Sequence, residues 1–147
     1  MKPTAELRFT RIDPEAKAPV KAHTDDAAFD LFAAEDVLIP PGARATIGTG
    51  ISVAIPPGNA GLVLPRSGRA IREGLTLVNS PGLIDPGYRG EVKVLALNTD
   101  RASEIELARA DRVAQLLIVP FAALDVVEVE ALDETERGTG GLGSTGA

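Results

Sequence analysis

Val37-Leu38-Ile39-Pro40-Pro41-Gly42-Ala43-Arg44-Ala45-Thr46-Ile47-Gly48-Thr49-Gly50-Ile51-Ser52-Val53-Ala54-Ile55-Pro56-Pro57-Gly58-Asn59-Ala60-Gly61-Leu62-Val63-Leu64-Pro65 is the stretch that decides the fold class. The apolar run 37–39 is stopped by Pro40-Pro41-Gly42. Residues 43–49 and 50–55 read as strands and end at Pro56-Pro57-Gly58. Ala60 to Leu64 is a further strand, halted at Pro65. Proline has no N–H to give a ladder, and glycine opens turn conformations, so these clusters punctuate β structure.

The same rhythm continues on both sides. Upstream, Leu7 to Ile12 is a first strand, Pro14 to Thr24 a polar connection with a turn at Ala18-Pro19, Ala28 to Ala33 a short strand, and Glu35-Asp36 a turn. Downstream come Leu75 to Val78, then Leu83-Ile84 and Glu91 to Leu97, which flank Asp85-Pro86-Gly87-Tyr88 as a hairpin-like tip. Ile105 to Leu107, Ala114 to Val119 and Val126 to Leu132 complete the set. About ten short strands with turns every ~8–12 residues predict a single all-β domain, a sandwich or a barrel. The one helix candidate is Arg66 to Arg72, and Pro86 would end any helix through 83–90. Ala114-Gln115-Leu116-Leu117-Ile118-Val119 does not alternate cleanly, which predicts cover on both faces. An antiparallel sheet in a lone chain usually wets one face, so a closed oligomer is expected.

Composition narrows the function. The 147 residues suffice for one core, and the net charge of -6 argues against broad nucleic-acid or anionic-membrane binding. Without cysteine there is neither a disulfide framework nor a thiolate metal site, and the single His23 cannot build a multi-histidine site. No apolar run reaches membrane-span length, and residues 1–20 do not resemble a signal peptide, so the expected location is the cytoplasm. With four Phe, one Tyr and no Trp, the core must be aliphatic.

The tail Arg137-Gly138-Thr139-Gly140-Gly141-Leu142-Gly143-Ser144-Thr145-Gly146-Ala147 cannot pack into a core. Such a segment is ordinarily linker. It also carries an Arg, hydroxyls and unobstructed amides, the groups that wrap a phosphate chain, so a lid ordered by its ligand is the second reading. Gly138 to Gly143 spells G-x-G-x-x-G, yet no strand-to-helix unit can surround it in the residues that follow. No Lys follows the glycines to make a Walker motif.

Five other sites hold chemistry-bearing residues. Asp85, stiffened by Pro86, is a candidate general base for water, or else a turn former. Tyr88 offers a flat wall for a sugar or base, or fills a rim. Arg66-Ser67-Gly68-Arg69 can clamp phosphate through guanidinium, hydroxyl and amides, or is a solvated basic turn. In Asp111-Arg112 with Gln115, Asp111 can buttress an Arg while Gln115 offers its amide to water or phosphate; the alternative is a charged turn before a core strand. Asp30, among Phe29, Leu31 and Phe32, is either a buried carboxylate needing partners or one that alternates to solvent. His23 is read as a loop histidine.

Together these segments resemble the trimeric dUTPases, deoxyuridine triphosphate nucleotidohydrolases, over nearly the whole chain from about residue 5. The carrying motifs are Ala28-Phe29-Asp30-Leu31; Pro65-Arg66-Ser67-Gly68; Asn79-Ser80-Pro81-Gly82-Leu83-Ile84-Asp85-Pro86-Gly87-Tyr88-Arg89-Gly90; Asp111-Arg112-Val113-Ala114-Gln115; and Arg137 through Gly146. The resemblance implies a jelly-roll-like β-sandwich over residues 1–136 with a flexible phosphate-covering arm at 137–147. It implies a homotrimer whose shared sites turn dUTP and water into dUMP and pyrophosphate with Mg²⁺, limiting uracil in DNA and supplying dUMP for thymidylate. In that scheme Asp85 is the base for attack on the α-phosphorus, Tyr88 lies under deoxyribose and excludes a 2′-hydroxyl, and Asn79 with nearby backbone reads uracil. Arg66, Ser67, Gly68 and Gln115 hold phosphates, and Asp30 holds a water on Mg²⁺. Arg137, Gly143, Ser144 and Thr145 close over the β- and γ-phosphates. Three positions depart from the family pattern: Ala28 for Gly, Arg69 for a common Leu, and Leu142 where an aromatic ring commonly stacks on uracil. The related deoxycytidine triphosphate deaminases and a catalytically silent trimeric β-protein are the alternatives. The Asp85–Tyr88 segment speaks against the first, and the retained tail against the second.

Overall fold

The structure is a computed structural model and describes residues 6–146. Residues 1–5 of the expected β domain and Ala147 of the expected arm lie outside the described residues.

Proline and glycine set the boundaries of the elements. In chain order they are β1 (Arg8–Arg11), β2 (Ala28–Phe32), β3 (Val37–Ile39), β4 (Arg44–Gly48), β5 (Ile51–Ala54), β6 (Asn59–Leu64), α1 (Ser67–Glu73), β7 (Leu75–Leu77), β8 (Gly82–Ile84), β9 (Lys93–Asn98), β10 (Ile105–Leu107) and β11 (Arg112–Pro120). All pairings between these strands are antiparallel. One sheet has the order β2-β11-β6-β8, a second β4-β9-β7, and two ribbons pair β1 with β5 and β3 with β10. This is a jelly-roll-like β-sandwich, as the sequence leads one to expect.

Alternation builds the core. In β9, Val94, Ala96 and Asn98 point inward while Lys93 and Leu95 point out. Leu31, Ile39, Ile47, Ile51, Val92, Ala114 and Leu116 are almost wholly buried in one aliphatic cluster. A side chain such as Leu116 contributes about 1.5–3 kcal/mol by leaving water, and truncation to Ala costs about 2–5 kcal/mol. Asn98 is a fully buried polar residue, and its amide is satisfied. Its Nδ2 donates to Ile39 O at 3.0 Å and Ser103 O at 2.8 Å, and its Oδ1 accepts from Asp100 N at 2.9 Å. It thereby ties the β3 ribbon to the end of β9.

β11 is an inner strand between β2 and β6, but its two faces are not equally covered within the one chain. Leu116 is buried in the core, while Leu117, Ile118 and Val119 are only half-covered. α1 forms one residue later than expected and stops at Gly74, whose φ of 69° is the left-handed geometry of a helix C-cap.

Two expectations are corrected. Val126 to Leu132 is not a strand: the segment has no regular structure, and Val126, Val127, Val129 and Leu132 are exposed. A strand needs an edge to accept its N–H and C=O groups, and after Pro120 the chain meets none of its own among the described residues. The tip at Asp85–Tyr88 is a turn, closed by Tyr88 N–H donating to Asp85 O at 3.1 Å, but not a hairpin tip. β8 pairs with β6, whereas β9 pairs with β4 and β7, so the turn carries the chain between sheets. Val92 takes over as the anchor, donating to Ile51 O at 2.8 Å.

An ion pair away from this tip predicts a pH effect. Asp13 is held below its usual value of 3.8, first by the Glu15 amide and then by Arg109, whose Nη2 lies 2.6 Å from Asp13 Oδ2. A depressed folded-state value adds stability that is present above the ordinary value and lost as pH falls through the depressed one. Asp13→Asn should therefore lower the melting temperature at pH 6, with a gap to the parent chain that closes in acid below pH 3.8. Melting curves in citrate and phosphate across that range check it.

Candidate active site

Three strands bring distant residues into one row. Asp30 of β2 lies opposite Gln115 of β11, and Gln115 lies opposite Leu64 of β6. Pro65-Arg66 follows directly from Leu64 and leads into α1. The sheet register thus converts three separated motifs into one hollow of about 550 Å³, lined by Asp30, Arg66, Ser67, Gly68, Arg72 and Gln115 among others.

Charge pairing organises this hollow. Asp30 is only 9% exposed. The reading in which it alternates to solvent is set aside, because its two oxygens face two arginines. Arg66 Nε is 2.9 Å from Oδ1, and Arg112 Nε is 3.0 Å from Oδ2. Both pairs use Nε, which leaves the outer guanidinium nitrogens free for an anion. Arg112 also lies 6.0 Å from the centre of the Phe32 ring. Gln115 Nε2 donates to Pro65 O at 2.9 Å and so fixes the extended entrance to α1 at Arg66. It has a second N–H to offer.

Arg69 is engaged elsewhere. It donates to Glu73 Oε2 at 2.9 Å, Asp111 Oδ2 at 2.8 Å and Arg112 O at 3.0 Å. The carboxylate of Asp111 therefore buttresses Arg69. Arg69 docks α1 on the start of β11 and does not line the hollow.

A second hollow of about 220 Å³ lies beyond β8 and contains Asn79, Asp85, Tyr88 and Glu91 in its lining. Asp85 is exposed, and its carboxylate accepts no hydrogen bond among the described residues. Pro86 restrains the turn, and Arg89 Nη1 straps it by donating to Pro86 O at 2.7 Å and Tyr88 O at 2.9 Å. Tyr88 is half exposed, with its hydroxyl donating to Glu91 O at 2.9 Å. A rigid turn thus presents an unengaged carboxylate beside an aromatic ring.

The arm stands apart. Residues 135–146 form successive turns, and Arg137 Nε donates to Gly140 O at 3.0 Å. Arg137, Gly143, Ser144 and Thr145 are exposed and line neither hollow, and Leu142 is fully exposed. His23 is an exposed loop residue whose N–H donates to Asp26 Oδ2 at 2.8 Å. The sequence-predicted residues thus fall into three groups: the Asp30–Arg66 hollow, the Asp85–Tyr88 hollow and the arm. The partnership of Arg112 with Asp30 and the placement of Glu91 were not legible. The first needs the β2–β11 register. The second needs a contact across 41 residues.

A buried carboxylate between two arginines, Ser67 and Gly68 at the start of α1, and a second carboxylate on a restrained turn are groups suited to holding a phosphate chain and activating water, carried on a jelly-roll-like sandwich. The dUTPase family model matches residues 14–146, and the chain belongs to the dUTPase family. It is 54% identical over 140 residues to the deoxyuridine 5′-triphosphate nucleotidohydrolase of Corynebacterium diphtheriae, covering 95% of this chain and 92% of that one. To the enzyme of the same name from Nocardia farcinica it is 51% identical over 146 residues, covering 99% and 88%. The dUTPase of Staphylococcus bacteriophage 80alpha, solved with dUPNHPP, superposes with a TM-score of 0.91 at 29% identity, covering 98% of this chain and 100% of that one. A point mutant of the S. aureus phage phi11 dUTPase, described with a structural Mg(II) ion, superposes with a TM-score of 0.81 at 27% identity, covering 86% and 98%. No helix among the described residues is long and apolar enough to cross a membrane.

Proposed function

We propose that Asp85 is the general base in the reaction of this dUTPase, the hydrolysis of dUTP to dUMP and pyrophosphate. Its carboxylate takes a proton from water as the water oxygen bonds to the α-phosphorus. The bond from that phosphorus to the bridging oxygen breaks, and pyrophosphate leaves. The observation that carries this reading is the unengaged Asp85 carboxylate on its restrained turn, and the meeting of Asp30, Arg66–Gly68 and Gln115 in a separate cation-bearing hollow supplies the phosphate side. A triphosphate spreads growing negative charge over its oxygens, and fixed cations and donors stabilise it without reorganising. Arg66, Ser67, Gly68 and Gln115 fill that part. Tyr88 sets its ring under the deoxyribose, and Asn79 with neighbouring backbone reads uracil.

The cofactor is Mg²⁺, carried mainly by the substrate phosphates. A carboxylate has about four lone-pair sites, and the two arginines engage two of those on Asp30. The remainder suit a proton of a metal-bound water, which fits Asp30 as an outer contact. When bound, the ion neutralises phosphate charge and orients the chain of oxygens.

The β domain ends at residue 136, and the arm from Arg137 lies over the β- and γ-phosphates through Arg137, Gly143, Ser144 and Thr145. The assembly is a homotrimer with shared sites. Three features support it: the half-covered face of β11, the exposed Val126, Val127, Val129 and Leu132, which meet no strand edge of their own chain among the described residues, and the separation of the two hollows. The enzyme works in the cytoplasm.

Pyrophosphate and ammonia release on dUTP, dCTP and UTP test the assignment. Pyrophosphate from dUTP alone is the expected result. Ammonia from dCTP would identify a deaminase, and no turnover a silent binding protein.

Asp30→Asn should raise KM for dUTP about tenfold, since weakening a charge-assisted pair costs about 1.5–3 kcal/mol and part is recovered by the Asn carbonyl. The change in kcat should be smaller. Steady-state kinetics with circular dichroism as a folding control measure this.

A further inference from the structure

Glu91 lines the Asp85–Tyr88 hollow, and its side chain reaches away from the tip. Its Oε1 accepts from Gly50 N at 3.0 Å, in the β4–β5 turn. The carbonyl of the same residue accepts from the Tyr88 hydroxyl at 2.9 Å. One residue therefore joins the tip to a fixed part of the fold: the side chain holds its backbone, and its backbone holds the ring.

Two glycines leave the room this requires. A Cβ on Gly48 would lie 2.7 Å from Glu91 Oε1. A Cβ on Gly90 would lie 2.6 Å from Tyr88 Cζ and 2.9 Å from Cε2, so the ring rests on the bare backbone of Gly90. Next to Glu91, Val92 is wholly buried and bonded to Ile51 O, while Thr49 Oγ1 donates to Val92 O at 2.6 Å. The anchor end of the clamp is rigid. The ring end is half exposed.

We propose that Glu91 is a positioning residue that sets the Tyr88 ring, and through it the selection of deoxyribose over ribose. This rests on the sugar-binding role of Tyr88 given above. A ring that discriminates a single hydroxyl must keep a fixed distance from the sugar, and one rotatable phenol on a surface turn does not keep it unaided. The carboxylate–amide bond to Gly50 fixes residue 91, and the phenol–carbonyl bond carries that position to the ring. Glu91 touches neither water nor phosphorus in this scheme.

The test uses Glu91→Asp, Glu91→Ala, Glu91→Gln and Tyr88→Phe in the full chain. Two readouts are taken: kcat/KM on dUTP and UTP, and near-ultraviolet circular dichroism, whose tyrosine band belongs to Tyr88 alone because the chain has one Tyr and no Trp. Aspartate keeps the charge and is one methylene too short for Gly50; glutamine keeps the acceptor. Glu91→Asp and Glu91→Ala should alter the Tyr88 band and raise acceptance of UTP relative to dUTP by roughly three- to tenfold, the scale of one displaced hydrogen bond. Glu91→Gln should stay close to the parent on both readouts. Tyr88→Phe should shift the ratio in the same direction, and combined with Glu91→Asp should add little further. An unchanged Tyr88 band in Glu91→Asp overturns the positioning role, whether or not Glu91→Ala folds. A changed band with an unmoved ratio, in Tyr88→Phe as well, supports the positioning and instead overturns the sugar role of Tyr88.

Discussion

Asp85→Asn should lower kcat on dUTP by about 10²–10⁴, the range supplied by a positioned general base, while leaving fold and nucleotide binding nearly intact. The substitution is close to isosteric. Asp85 is exposed and its carboxylate holds no other part of the protein among the described residues, so little stability is at stake. The turn itself is set by Pro86, by the Tyr88 amide to Asp85 O and by the Arg89 strap, none of which needs the Asp85 side chain. An amide cannot take a proton from water at neutral pH. The loss therefore belongs in kcat, with KM changed little, as expected when an interaction used in the transition state is removed. Pyrophosphate release under saturating dUTP measures it, and calorimetric titration with a non-hydrolysable analogue shows that binding survives. Turnover within a few-fold of the parent would assign Asp85 to the turn alone.

What the sequence displayed and what it concealed follow from the range of the interactions. Proline and glycine act within a few residues, so the ends of β3, β5 and β6 could be read directly from Pro40-Pro41-Gly42, Pro56-Pro57-Gly58 and Pro65. The lack of alternation along 114–119 suggested cover on both faces, but the place of β11 between β2 and β6 is set by pairing with distant strands. Val126–Leu132 carries three Val and yet forms no strand, because composition records the propensity for an edge and not its presence. The tip at Asp85 fails in a related way. Local chemistry specifies the turn, but the choice between pairing β9 with β8 or with β4 is made by residues far along the chain. At the candidate site, motif resemblance pointed to Asp30, Arg66, Gln115, Asp85 and Tyr88. It did not indicate that Asp30 is bracketed by Arg66 and Arg112, or that Arg69 is held by Glu73 and Asp111. Those pairs depend on sheet register and helix docking, which no single segment encodes.

Ending the chain after Glu136 should abolish most turnover while leaving the β domain and its assembly intact. The removed residues include five glycines and, in Leu142, one large apolar side chain that is fully exposed. The core cluster contains no residue beyond Ile118, so its burial is unchanged by the cut. The hydrogen bonds described in the arm run within residues 135–146 and do not tie it to the sheets. Folding free energy should change by well under about 1 kcal/mol, as for an exposed terminus. Function should respond very differently. Arg137 and the hydroxyls of Ser144 and Thr145 are charged and polar groups suited to the distal phosphates, and closing a lid expels water and strengthens each contact beneath it. Losing one fixed cation at a phosphate costs about 1.5–3 kcal/mol, and losing several donors together brings the fall in kcat/KM to about 10²–10⁴. The Gly-rich arm must surrender conformational freedom on closing, which sets an upper limit on the gain it provides. Sedimentation velocity should show the same oligomer for both chains, and melting curves should overlap. Single-turnover kinetics on dUTP should separate them. Near-parental activity in the shortened chain would show that the arm is a linker and that Arg66, Arg112 and Gln115 suffice for the triphosphate. Loss of assembly together with activity would give residues beyond 136 a structural part in the trimer. With assembly kept and turnover lost, the arm acts on the substrate, and Arg137→Ala in the full chain should reproduce a large share of the loss because it carries the only formal positive charge in the arm.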